Sequence, residues 1–148
     1  MIFNIILALM LLSPRPPITL PVGADGIYVY ESKEYLCTDF LSCYHEIGHL
    51  TDHENDMIST SNEFVDAVAK YEELGSDEYW KALIYPFTET NLCALLNNGV
   101  DERYIELYAT ILEHSAYVQM PQEFMGFYDW DRIVKEIETY KEHLVTGD

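Results

Sequence analysis

Residues 38–50 read Thr-Asp-Phe-Leu-Ser-Cys-Tyr-His-Glu-Ile-Gly-His-Leu, and the fold is read outward from them. Thr38 or Asp39 supplies a helix N-cap. Phe40, Tyr44, Ile47 and Gly48 then recur along one side of the helix that follows. Within it, His45-Glu46-Ile47-Gly48-His49 is an HExxH motif. Residues four apart on a helix share a face, so both imidazoles can meet one cation. Glu46 is rotated slightly away, within reach of a water on that cation. Zinc lowers the pKa of such a water to about 7, and a carboxylate can then remove its proton during attack on a carbonyl. Glu46 is therefore the expected catalytic base.

Before this helix, Ala24-Asp25-Gly26 signals a turn, and Ile27-Tyr28-Val29-Tyr30 reads as a short strand. Two readings of that strand stand side by side: an edge open to an extended substrate backbone, or an ordinary core strand. After the motif the pattern is helical. Thr60-Ser61-Asn62-Glu63 has capping-box spacing, Phe64, Val65, Val68 and Ala69 give an inward stripe, and Gly75 closes the helix. Residues 77–84 continue as helix until Pro86, and Asn91 to Leu96 form another short one. Asp101 caps a helix with Ile105, Tyr108, Leu112 and Ala116 on its apolar side. Asp129 caps the last, with Trp130, Ile133, Val134, Ile137 and Leu144 at helical spacing. The expected class is α+β, mainly helical, with a small sheet near the N-terminus.

The charge narrows the partners. The 148 residues hold 26 Asp and Glu against 8 Lys and Arg, for a net −18. Such a surface repels phosphate backbones, which argues against nucleic acid and favours divalent cations and basic peptides. Three cysteines, Cys37, Cys43 and Cys93, make no disulfide framework. They read as buried thiols, with Cys37–Cys93 or Cys43–Cys93 as the alternative bridges. Residues 1–24 form a leader, apolar from Met1 to Leu12 and Pro-rich afterwards, too short for an ordinary membrane helix. It resembles a signal-peptide core with Val22-Gly23-Ala24 as a small-residue cleavage site, although no Lys or Arg precedes the run. A segment packed on the core is the other reading. The expected peptidase domain would then be residues 25–148, secreted or extracytoplasmic, with a cytoplasmic location as the alternative.

Zinc needs a third protein ligand. The pattern HExxHxxGxxH fails, because Asp52 and Asn55 stand where it requires Gly and His. His53 continues the row, but each four-residue step climbs about 6 Å, so His45 and His53 are spread too far for one ion. Glu102 and Glu106 lie four apart on the Asp101 helix. One of them can bind metal while the other orients a ligand histidine through its free ring N–H.

With these residues together, the chain resembles the gluzincins, zinc metallopeptidases that join HExxH to a glutamate on a later helix, with an acid four residues on. It is most similar to the catalytic domain of anthrax lethal factor and to minimal gluzincins. The likeness runs through His45–His49, the helix from Thr60 to Glu73 with Phe64, Val65 and Asp66, and Glu102-Arg103-Tyr104-Ile105-Glu106-Leu107-Tyr108. It implies zinc held by His45, His49 and Glu102, with Glu106 as the partner behind a ligand, and hydrolysis of peptide bonds. Two positions depart from it. Ile105 replaces a small alanine, and the stretch around Leu95 lacks the tyrosine that family places before its glutamate, leaving Tyr85 and Tyr104 as oxyanion-donor candidates. That missing tyrosine favours the alternative of a catalytically inactive zincin-fold protein that binds a protein partner. A third reading is an acidic binding protein whose histidines are incidental.

Overall fold

The computed structural model describes residues 18–89 and 99–145. The Met1–Leu12 run, the expected Asn91–Leu96 helix and Cys93 lie outside the described residues. Mainly helical with a two-stranded sheet near the N-terminus, the chain has the expected α+β composition. Strand β1 (Gly26–Val29) pairs antiparallel with β2 (Glu34–Cys37), in the register Gly26 opposite Cys37 and Val29 opposite Glu34. The four residues between them end at Lys33, whose φ of 57° places it in the left-handed region, and its N–H donates to Val29 O at 2.8 Å. That reversal suits a four-residue hairpin loop.

Helix α1 (Phe40–Glu54) begins at Asp39, whose carboxylate accepts the Ser42 N–H at 2.8 Å while Ser42 Oγ accepts the Asp39 N–H. Two orphan donors of the first turn are thus satisfied. Cys43 is buried, but as a half-cystine: it is bonded to Cys37 across a Cα–Cα distance of 4.9 Å. This corrects the expected buried thiols and both bridges to Cys93. The pairing is local, because the turn from β2 into α1 brings the two side chains together.

After α1 the chain turns through Asp56 and Met57, both at positive φ (55° and 56°). Asp52 anchors this strained turn from below. It is fully buried and accepts the Ser59 N–H at 2.9 Å and the Ser59 hydroxyl at 2.6 Å. Helix α2 (Asn62–Leu74) is capped by Ser61, one residue later than the Thr60 box, because Thr60 belongs to the preceding 3-10 turn and donates its hydroxyl to Met57 O. Helix α3 (Glu78–Thr88) runs through Pro86 rather than stopping before it. Ala82, whose carbonyl loses its N–H partner there, is exposed and can bond water.

Helix α4 (Gly99–His114) starts two residues before Asp101. Its buried face is Leu107, Tyr108, Ala109, Ile111 and Leu112, while Ala116 is exposed beyond its end. The short α5 (Gln122–Met125) and α6 (Trp130–Thr139, capped by Asp129) complete the chain, followed by a 3-10 turn. The core lies between α1 and α4 and extends through Phe64, Trp80, Phe124 and Ile133. No helix among the described residues is long and apolar enough to cross a membrane.

The crossing of α1 and α4 fixes everything that follows. A Cβ built on Gly48 would lie 2.9 Å from Ala109 Cα and 3.2 Å from its Cβ. Only a glycine opposite a small residue lets two helix backbones come this close.

Candidate metal centre

The HExxH side chains diverge from α1 as helical geometry requires. His45 and His49 point at α4, and Glu46 turns toward β1. Opposite the imidazoles stands Glu106. One of its carboxylate oxygens is 3.2 Å from His45 Nε2 and the other is 3.0 Å from His49 Nε2. Ligand atoms of His45, His49 and Glu106 all lie within 4.8 Å of one another, the one such group of three among the described residues. Donors about 2.0–2.1 Å from a tetrahedral zinc are separated by roughly 3.3 Å. The two carboxylate-to-imidazole spacings, each to a different oxygen of Glu106, are near that value, and histidine nitrogens with a carboxylate oxygen are donor types that zinc accepts.

Glu102 is one turn earlier on α4, exposed, and outside the group. Glu106, which the resemblance placed behind a ligand, is the carboxylate facing both imidazoles, while Glu102, to which it gave the ligand role, lines the neighbouring cleft. The reason is the contact point. Ala109 sits against Gly48, and Glu106, three residues before it, is the acid at the level of His45 and His49. Glu102 lies about 6 Å further along the axis.

Behind His45 stands a residue that sequence reasoning missed. Glu113 Oε1 is 2.9 Å from His45 Nδ1. Glu106, Ala109 and Glu113 are spaced i, i+3, i+7, a single stripe of α4. That stripe is legible in the sequence, one turn further along than the Glu102/Glu106 pair. In the metal-free protein, a carboxylate at each ring nitrogen favours the imidazolium form of His45. Burial opposes the charge, yet hydrogen bonds to Glu106 and Glu113 outweigh it and push the pKa up to about 10. Hydrogen bonds from His45 and His49 hold the Glu106 carboxyl well below its usual range.

Among the described residues, two buried polar atoms of the site have no protein partner, Glu46 Oε2 and His49 Nδ1. Burial raises the Glu46 pKa, against the opposing influence of the two histidines. His53 is outside the group of three, its Nδ1 2.8 Å from the Tyr28 hydroxyl, and lines the cleft beside Glu106.

Two clefts meet at Glu106. One of about 500 Å³ is walled by Asp25, Asp39, His45, Glu46 and Glu113, with Gly26 on its rim. The other, about 760 Å³, is lined by Tyr30, Met57, Phe87 and Ile105, with Glu102 and Arg103. Neither Tyr85, exposed on α3, nor Tyr104 lines either cleft. Tyr30 does, and it was not among the expected donors.

Comparison with known proteins adds no relative: no protein-family model matches the chain, and no curated protein and no solved structure matches it.

Proposed function

We propose that this chain is a zinc-dependent endopeptidase of gluzincin type, with His45, His49 and Glu106 as metal ligands and Glu46 as general base. One observation carries the reading: a carboxylate from α4 bridges both imidazoles of the HExxH helix, at 3.0 and 3.2 Å, next to a buried Glu46 oxygen that lacks a partner. Zinc, when bound, polarises a carbonyl and lowers the pKa of water to about 7.

The chain's own residues supply the rest. Glu113 accepts the Nδ1–H of His45, which fixes the ring with its Nε2 toward Glu106 and the ion. Glu46, buried and with its pKa raised, takes a proton from the attacking water and returns it to the leaving amine. Among the described residues strand β1 is paired on one edge, to β2, and an extended peptide would add to the other. The carboxylates of the smaller cleft favour a cationic side chain, and the aromatic and aliphatic walls of the larger one favour an apolar one. The Cys37–Cys43 disulfide fits an oxidising compartment, in keeping with a secreted or extracytoplasmic protein.

The test is a peptide-cleavage assay on zinc-loaded protein with and without chelator, together with Glu46→Gln. Wild type should cleave and stop on chelation, and the variant should keep its zinc and lose at least about 100-fold in kcat. Cleavage by Glu46→Gln at the wild-type rate would refute the assignment. The inactive, partner-binding alternative predicts stoichiometric zinc with no cleavage by wild type.

A further inference from the structure

Among the described residues, Glu46 Oε2 has no hydrogen-bond partner, and the Glu46 side chain is packed against β1. The packing partner is unusual. A Cβ built on Gly26 would lie 2.9 Å from Glu46 Cγ, 3.1 Å from Oε1 and 3.2 Å from Cδ. The backbone of β1 therefore rests directly on the carboxylate arm, in space that any side chain at position 26 would occupy. Gly26 has no need of positive φ, so conformational freedom does not explain it; contact with Glu46 does.

The strand is in turn fixed to the helix that carries Glu46. Gly26 pairs with Cys37 across the hairpin. Cys37 is disulfide-bonded to Cys43, three residues before Glu46 on α1. One step further along, the Thr38 N–H donates to Asp25 O at 2.9 Å, and the Thr38 hydroxyl reaches the same oxygen at 3.2 Å. A covalent bond and two hydrogen bonds thus hold the first rung of the sheet over a single side chain. The metal ligands are positioned separately, by the Gly48–Ala109 contact with α4.

We propose that Gly26 is a positioning residue for Glu46, held over it by the Cys37–Cys43 disulfide, so that strand and staple set where the general base carries its proton without contributing to the grip on the metal. This rests on the peptidase reading given above, but it divides the site into two independently supported parts, and that division is testable on its own.

The experiment compares wild type, Gly26→Ala, Glu46→Asp and the Gly26→Ala/Glu46→Asp double variant, each zinc-loaded. In Gly26→Ala the atoms met all belong to the Glu46 side chain rather than to backbone, so the carboxylate arm is the group expected to shift. We expect kcat to fall about 100-fold, as for a reacting group misplaced by about 1 Å, with KM and zinc affinity within about twofold of wild type. Calorimetric binding of acetohydroxamate, whose hydroxyl proton Glu46 would take, should weaken about tenfold in the same variant. Aspartate is one methylene shorter and relieves the contact, so the double variant should lose less than the product of the single losses. Replacing both cysteines (Cys37→Ala/Cys43→Ala) should lower kcat in the same direction with zinc affinity retained. Should that variant fail to fold, the Gly26→Ala series alone decides.

Gly26→Ala at wild-type kcat and hydroxamate affinity would overturn the proposal. So would multiplicative losses in the double variant, or a loss of zinc that accompanies the loss of turnover. A wild type that binds zinc without cleaving, or an active Glu46→Gln, would overturn the peptidase reading and this inference with it, a different pattern from either of those.

Discussion

Two turns of helix α4 carry similar residues and differ in what they meet. Glu102 and Glu106 are both exposed glutamates, four residues apart. Glu106 faces two imidazoles at 3.0 and 3.2 Å, and Glu102 lines an open cleft with Phe87 and Met57. Nothing in the chemistry of the two side chains separates them. What separates them is distance along the axis from the point where α4 touches α1. The contact of Gly48 with Ala109 sets the register of the helices, and the acid on the next turn from that contact becomes competent to bind metal.

The largest expected effect cuts directly between these two turns. Glu106→Gln should weaken zinc binding by about 100-fold or more, since even partners outside the ligand set cost 10–100-fold. Glu102→Gln should change it by less than about threefold. Competition titration against a chelator of known affinity reads both, and equal losses would erase the distinction. Next comes the register itself. Gly48→Ala should separate the helices, costing about 1–3 kcal/mol in chemical denaturation and weakening zinc binding as well. A stability loss with unchanged zinc affinity would show that the close approach does not place Glu106.

Glu113→Gln tests the far end of the same stripe. With the neutral amide at His45 Nδ1, zinc affinity should fall about tenfold to 100-fold, less than for Glu106→Gln, with the fold intact. A change within twofold would remove Glu113 from the centre.

The smallest effect is on the metal-free protein. His45, raised to about 10 from its ordinary 6.5, contributes stability that is complete below pH 6.5 and fades as pH rises through about 10. Glu106, depressed from its ordinary 4.5, contributes stability complete above pH 4.5 and fading as pH falls. Both describe one network of ion pairs and count once. The melting temperature of metal-free wild type should therefore exceed that of Glu106→Gln most between about pH 5 and 6.5, and the gap should narrow toward pH 10. Because Glu106 is half exposed, salt should shrink the gap further. A gap that widens as pH rises would contradict the arrangement.

How far the sequence carried this picture follows the range of the interactions. Asp39 capping, the HExxH helix, the strand at residues 27–29 and the Asp129 cap depend on neighbours within four residues, and all are readable as spacing. Strand β2 is four residues long, and its alternation of exposed Glu34 and buried Tyr35 and Cys37 is too short to stand out. The helix through Pro86 was hidden because solvent at Ala82 tolerates what a buried carbonyl would not. The exchange of Glu102 for Glu106 is the instructive case. Both fit a motif counted along the chain, and the choice between them rests on a glycine–alanine contact 61 residues apart, which no local pattern records. The Cys37–Cys43 bond was not among the expected pairings, because the turn that joins its two cysteines has no signal in their spacing.

Diffraction from zinc-loaded crystals, with anomalous data collected at the zinc edge, tests the account most directly. We predict one peak per chain, about 2.0–2.2 Å from His45 Nε2, His49 Nε2 and a carboxylate oxygen of Glu106. A peak ligated by Glu102 in place of Glu106, or bound only among the surface carboxylates away from the histidine pair, would contradict it.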